Sequence, residues 1–332
     1  MVYIYKKKIG DKVYYYLRAS ERKAGRVIVK DIAYLGNSID EIKKSLEKLH
    51  KYSDKIRKAY RTINNFLESN RYIEKARELK LKKDEFLGDR LVEVVACKLH
   101  YHSEFKKQQI LTKQEIFQNF VVEFAYNTTA IEGNTIKLAE ARSLLEEGRT
   151  PKDKSLREIY DIQNTEKVLK FLLEAKEDLT YDFIIKIHKN LMENIDPRVG
   201  YRTSDVRVIK ANFKASPAPY VKTDMNLLLK WYEENKTRFH PLILASVFHH
   251  KFEKIHPFMD GNGRTGRMLL NYILLKNNYP PLIVKTKSRK DYLSSLREAD
   301  NSELTLAEKS DYEALAVFMA DQMIQSYWDI FL

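Results

Sequence analysis

The chain has 332 residues, a net charge of +13 and a single cysteine. That length accommodates one large domain and a smaller one, and a lone cysteine excludes an internal disulfide. No stretch approaches the ~18 apolar residues of a membrane span and the start does not read as a secretory leader, so a cytoplasmic protein with no membrane partner is expected.

Residues 1–36 hold nine basic residues against three acids, a net +6 that is almost half of the whole excess. Val2–Lys7, Val13–Arg18 and Arg26–Leu35 are rich in β-branched and aromatic residues and are separated by Gly10-Asp11 and Ala24-Gly25. That pattern predicts a three-stranded antiparallel sheet. Tyr14, Tyr15 and Tyr16 sit amid its basic residues. Aromatics on a basic sheet suit the stacked bases of single-stranded nucleic acid; half-buried tyrosines packed on a following helix would look the same. Residues 1–36 are therefore read as a small basic β module with nucleic acid as a candidate partner.

Ser38 and Glu41 have capping-box spacing, and Ile39, Ile42, Leu46, Leu49 and Ile56 keep helical spacing behind them. Helical character continues to about residue 81, and a further helix fits about 90–101, where Cys97 lies among apolar neighbours as a buried thiol would. Residues 37–109 are read as a helical connector whose many charges form a solvated face.

From Thr112 onward amphipathic helices follow one another, with Thr112 and Glu115 spaced as a second capping box. The first runs to residues 127–134, and the next stops at Gly148 with Pro151 beyond it. Further helices fit about 155–176, 181–194, 224–235, 240–253, 263–277, 289–300 and 310–327. Between 199 and 222 the periodicity fails, and Val206, Val208, Pro217 and Pro219 suggest a hairpin. The fold class is mainly α: a multi-helical domain over 110–332 with a short β-hairpin flap, preceded by the β module.

The chemistry concentrates in residues 256–267, HPFMDGNGRTGR. Gly261 and Gly263 let main-chain N–H groups approach an anion, and the helix that follows points its positive end at the same spot. Arg264 and Arg267, three apart, share a helix face and can reach a polyphosphate. Asp260 is a hard oxygen ligand suited to Mg²⁺, Asn262 adds a neutral amide, and His256 can accept a proton at neutral pH. His249, His250 and His256 lack the cysteine or acidic spacing of a zinc site.

This stretch resembles the signature of the Fic (Fido) family, HPFx[D/E]GNGRxxR, with every fixed position filled, and the likeness extends over about 110–320. The resemblance implies transfer of AMP from ATP to a Ser, Thr or Tyr hydroxyl of a target protein. It gives His256 the role of base and Asp260 that of Mg²⁺ ligand. Gly261, Asn262, Gly263 and Arg264 would bind the α- and β-phosphates and Arg267 the γ-phosphate. Residues 128–133, TTAIEG, match the family's inhibitory motif [S/T]xxxE[G/N]. Thr128, Glu132 and Gly133 would then form a segment whose glutamate occupies the γ-phosphate site. In some members the same glutamate supports removal of AMP. The 199–222 segment corresponds to the flap that docks a target. Tyr292 and Asp300 fall where a tyrosine and an asparagine line the base pocket, so the nucleotide's base stays open. The resemblance leaves room for a homodimer. A different class of function, a nucleic-acid-binding regulator using residues 1–36 with the Fic domain secondary, is the alternative.

Overall fold

Alternating apolar residues organise the N-terminal end. The computed structural model describes residues 2–10, 12–23, 25–206 and 214–332. Strands β1 (Val2–Ile9), β2 (Lys12–Lys23) and β3 (Arg26–Gly36) form an antiparallel sheet in the order β1-β2-β3. β2 is longer than its composition predicts. Ser20 to Lys23 continue as strand because they pair with Val29, Ile28, Val27 and Arg26, beyond the reach of β1. Val2, Ile4, Tyr15, Leu17 and Leu35 face one way and are buried.

A small sheet with one apolar face needs a cover. Here α1 (Ile39–Glu47), α2 (Ser53–Lys58) and α3 (Tyr60–Glu78) follow, and Ile39, Ile42, Ile63 and Leu67 join the sheet residues in one core. Ser38 caps α1 by accepting from the Glu41 N–H, while the Glu41 carboxylate reaches Asn37 N–H instead of closing a box.

The chain divides into two compact units, Met1–Leu81 with Leu332, and Lys82–Phe331. The division falls inside the stretch read as a connector: α1 and α3 pack on the sheet, whereas α4 (Arg90–Ser103) belongs to the second unit.

That second unit continues with α5 (Ile110–Ile131), α6 (Leu138–Glu147), α7 (Leu156–Glu174) and α8 (Tyr181–Leu191). It ends with α9 (Val221–Asn235), α10 (Pro241–Ile255), α11 (Asn262–Lys276), α12 (Arg289–Glu298) and α13 (Lys309–Ile330). α5 starts two residues before Thr112, after Gln109, so the predicted Thr112–Glu115 box does not cap it. Gly148 does end α6, in the left-handed conformation at φ 69°. α10 and α11 pack on each other at the centre and are buried nearly all round, as interior helices are. Two of the polar residues buried on α10 are paired with segments near the C-terminal end of the chain. His250 bonds Tyr312 at 3.0 Å and Asp300 at 3.3 Å, and Lys251 donates to the carbonyls of Glu303 and Leu306. Among the described residues no helix is long and apolar enough to cross a membrane.

Candidate active site

The turn between α10 and α11 holds the motif. α10 ends on His256, whose own backbone is left-handed (φ 54°), and α11 begins after Gly261, also left-handed (φ 74°). A Cβ at Gly261 would press on Met192 Sδ, so that position requires glycine twice over. Inside the turn, Asn262 Oδ1 accepts from Phe258 N–H at 2.9 Å and its Nδ2 donates to Phe258 O at 2.8 Å. The amide expected at the phosphates is thus engaged in bracing the loop. His188 of α8 stacks on Phe258 with ring centroids 3.6 Å apart and bonds Asp260 O at 3.0 Å. Burial pushes the His188 imidazole down to about 4, so at neutral pH it is an uncharged strut. Arg202 clamps the other side. Its backbone N–H donates to Pro257 O at 2.9 Å, and its guanidinium to the carbonyls of His256 (2.8 Å), Ser204 (3.0 Å) and Ser216.

These braces shape a cavity of about 380 Å³. One wall is His256, Asp260, Gly261, Gly263 and Arg264; the facing wall is Thr129, Glu132 and Gly133, with Arg157 and Asp161. His256 Nδ1 lies 3.3 Å from Glu253 O. Donating there leaves the Nε2 lone pair as the proton acceptor. Burial, helped by Arg202, holds the His256 imidazole below its ordinary range, against the opposing pull of Glu253 O, Glu132 and Asp260. It is therefore unprotonated at pH 7 and able to accept a proton. Burial alone would raise the Asp260 carboxyl, but the Arg157 guanidinium and the Gly261 N–H (2.6 Å) bond it and keep it ionised. Arg264, buried, is paired with Asp161 and reaches Met192 Sδ at 3.5 Å.

Arg267 lies deepest. Its Nε donates to Thr128 Oγ1 at 2.6 Å, and its terminal nitrogen to Thr128 O at 2.9 Å and Glu132 Oε1 at 2.7 Å. Glu132 ends α5, and Gly133 at φ 105° lets the chain turn away behind it. The Glu132 carboxylate lies so close to Gly263, in the first turn of α11, that a Cβ there would overlap Oε1. The carboxylate thus fills the anion position that a helix N-terminus and an arginine create. Beneath Arg267 sits Glu253, whose Oε1 is buried without a hydrogen-bond partner and 4.0 Å from His249 Nδ1. Burial, reinforced by the charge of Glu132 and opposed by Arg267, pushes the Glu253 carboxyl up to about 8.

The structure brings together His256, Asp260, Gly261, Asn262, Gly263 and Arg264 around one cavity, with Thr128, Glu132, Gly133 and Arg267 beside them. Tyr292 and Asp300 do not line it. Tyr292 is buried with its hydroxyl 2.5 Å from His249 Nε2, and Asp300 is buried against His250. Residues 207–213, in the middle of the predicted flap, lie outside the described residues. Arg157, Asp161, His188 and Glu253 were not anticipated as site residues. Each arrives from a helix whose sequence reads as ordinary amphipathic pattern.

Residues 178–274 match the Fic/DOC family. This chain carries a Fic domain. Over 187 residues it is 34% identical to protein adenylyltransferase fic-1 of Caenorhabditis elegans, covering 54% of this chain and 37% of that protein. Protein adenylyltransferase Fic of Nematostella vectensis is 32% identical over 198 residues, covering 58% of this chain and 45% of that protein. The chain thus spans less than half the length of the curated relatives it matches. A Fic-domain-containing signaling protein of Bacteroides thetaiotaomicron superposes with a TM-score of 0.65 at 22% identity, over 72% of this chain and 95% of the other. A Fic family protein of Desulfovibrio desulfuricans gives a TM-score of 0.57 at 26% identity, over 73% and 74%. The helical unit therefore has the Fic fold.

Proposed function

We propose that this protein is an adenylyltransferase that moves AMP from ATP to a hydroxyl of a target protein, and that Glu132 restrains it. The observation that carries the reading is the shared cavity. A neutral, tautomer-fixed His256 faces the N-terminus of α11 across a space bordered by Arg264, with Arg267 beside it. That is a proton acceptor next to an anion cradle.

In the reaction the target hydroxyl oxygen attacks the α-phosphorus and its proton passes to His256 Nε2. The bond between the α-phosphorus and the bridging oxygen breaks, and pyrophosphate leaves. The first-turn N–H groups of α11 and Arg264 face the α- and β-phosphates and stabilise charge that grows as the bond breaks. Arg267, once released by Glu132, receives the γ-phosphate and aligns the leaving group. Asp260 would hold Mg²⁺. Its ionised carboxylate beside the phosphate cradle fits the single protein oxygen that a phosphate-borne Mg²⁺ needs, provided Arg157 yields it. Bound there, the ion would neutralise phosphate charge. The target would dock along the 199–222 flap, which Arg202 joins to the His256 carbonyl. Removal of AMP from the target, supported by the same Glu132, is a second activity compatible with this arrangement.

The test is incubation of the full chain with α-labelled ATP, Mg²⁺ and candidate target proteins, followed by mass analysis. A gain of one AMP on a hydroxyl side chain, lost in His256→Ala, is the expected result. Label transfer that survives His256→Ala would overturn the assignment.

A further inference from the structure

We propose that the outer face of the N-terminal sheet binds single-stranded nucleic acid, stacking bases on its tyrosines and meeting phosphates with its cations. The register determines what that face carries. Tyr3 pairs with Arg18, Tyr5 with Tyr16 and Lys7 with Tyr14 across β1 and β2; Tyr16 pairs with Tyr34 and Arg18 with Asp31 across β2 and β3. Directly opposed residues share a face. Tyr3, Tyr5, Tyr14, Tyr16 and Tyr34 therefore stand together on the side opposite the apolar core formed with α1 and α3.

These rings are not core residues. None of the five is buried, and Tyr34 is 52% exposed. Tyr34 lies 5.5 Å from Tyr16 and 6.4 Å from Tyr14 between ring centroids, so three of the rings form one continuous patch. The Arg18 guanidinium lies 3.4 Å over the Tyr5 ring, which shows that a ring on this face already takes a planar group on its surface. Two adjacent tyrosines in water would be unremarkable. Five on one face of a three-stranded sheet, with the apolar core packed on the opposite face, are a platform.

The charge completes the match. Residues 1–36 carry a net +6. Lys7 is exposed beside Tyr14, and Arg22 is exposed on the arm that β2 and β3 extend past β1. Asp31 is held by Arg18 at 2.6 Å, so the acid of this face is already paired. Stacking rings with a cationic border is what an unpaired strand requires, because its bases are free to stack and its phosphates stay outside. A duplex keeps its bases stacked on each other and offers this flat face only its backbone.

The test uses the full chain and a fluorescein-labelled oligothymidylate, with a duplex of the same length beside it. Tight binding of the single strand at low salt is expected, with affinity that falls as salt rises by about 0.7 in log–log slope per phosphate contact. Tyr16→Ala with Tyr34→Ala should weaken binding by roughly 5- to 150-fold per stacked base, and Tyr16→Phe with Tyr34→Phe should retain it. Lys7→Ala should lower the salt slope while the protein keeps its melting temperature. Absence of binding at low salt would overturn the proposal, as would a preference for duplex or alanine variants that bind like wild type. So would a dimer in sedimentation that Tyr34→Ala dissociates, because the face would then be occupied by a second copy.

Discussion

Arg267 donates to Glu132 Oε1 at 2.7 Å, and the two partners live in different surroundings: the guanidinium is 4% exposed and the carboxylate 46%. The arginine cannot leave, whereas the glutamate can swing into water. A hydrogen bond to a charged group contributes about 1.5–3 kcal/mol net, which is roughly 10- to 150-fold in an equilibrium. With the carboxylate half-exposed, the effect of removing it falls toward the lower end. Glu132→Gly should raise AMP transfer or self-modification by about tenfold or more, with a smaller change in ATP affinity. Glu132→Gly combined with Arg267→Ala should lose the gain. A folded Glu132→Gly protein no faster than wild type would rule out restraint by this residue.

His256→Ala should reduce transfer by ~10²–10⁴-fold while ATP binding persists, because the anion cradle lies in α11. The pH dependence is a second check. Burial holds the His256 imidazole below the ordinary ~6.5 of histidine. In the proposed reaction the neutral form accepts the proton, so the rate is lost only as pH falls through that lowered value. The acidic limb of kcat/KM should therefore lie below pH ~6.5; a limb above it would mean that another group is the base.

Arg157 occupies an oxygen of Asp260 that the metal would use, with its own side chain 55% exposed. A solvent-screened pair of this kind contributes ~0.2–1 kcal/mol. Arg157→Ala should lower the Mg²⁺ concentration for half-maximal transfer by about 1.4- to 5-fold. Titration with Mg²⁺ at saturating ATP measures it, and an increased requirement would show that Arg157 assists the bound ion instead of competing with it.

Glu253 gives a prediction on stability. In the unfolded chain a glutamate ionises near ~4.3, whereas the folded protein keeps the Glu253 proton up to about 8. Between those values the native state binds more protons than the unfolded one. Stability therefore falls as pH rises through the window. Glu253→Gln should have a flatter melting temperature from pH 5 to pH 8 than wild type. Parallel profiles would show that Glu253 is already ionised in the fold.

What could be read beforehand was what is contiguous or periodic. The motif from His256 to Arg267 is one unbroken stretch, and α10 and α11, buried nearly all round, carry apolar residues dense enough to mark them as helices. Gly148 marked a helix end, and α6 does stop there in the left-handed conformation. What could not be read were partnerships across long separations. Arg264 meets Asp161 and Asp260 meets Arg157, each 103 residues away in the chain, and nothing in the periodicity of α7 sets those two positions apart. The Asn262 amide illustrates a subtler limit. Its spacing fits both a phosphate ligand and a loop brace, and only the backbone of Phe258 decides between them.

Arg202 has a further consequence. One guanidinium binds the carbonyls of Ser204 and Ser216 and, between them, that of His256. The two ends of the intervening stretch are thus stapled to the same atom group that fixes the base. Lengthening a loop whose ends are already joined changes its closure entropy only slowly. Evolution, or a protein engineer, can therefore exchange the chain between those serines for one of different length and sequence while the reacting groups keep their positions. If a target docks along that stretch as proposed, choice of client and chemistry of transfer become separately inheritable traits of one domain.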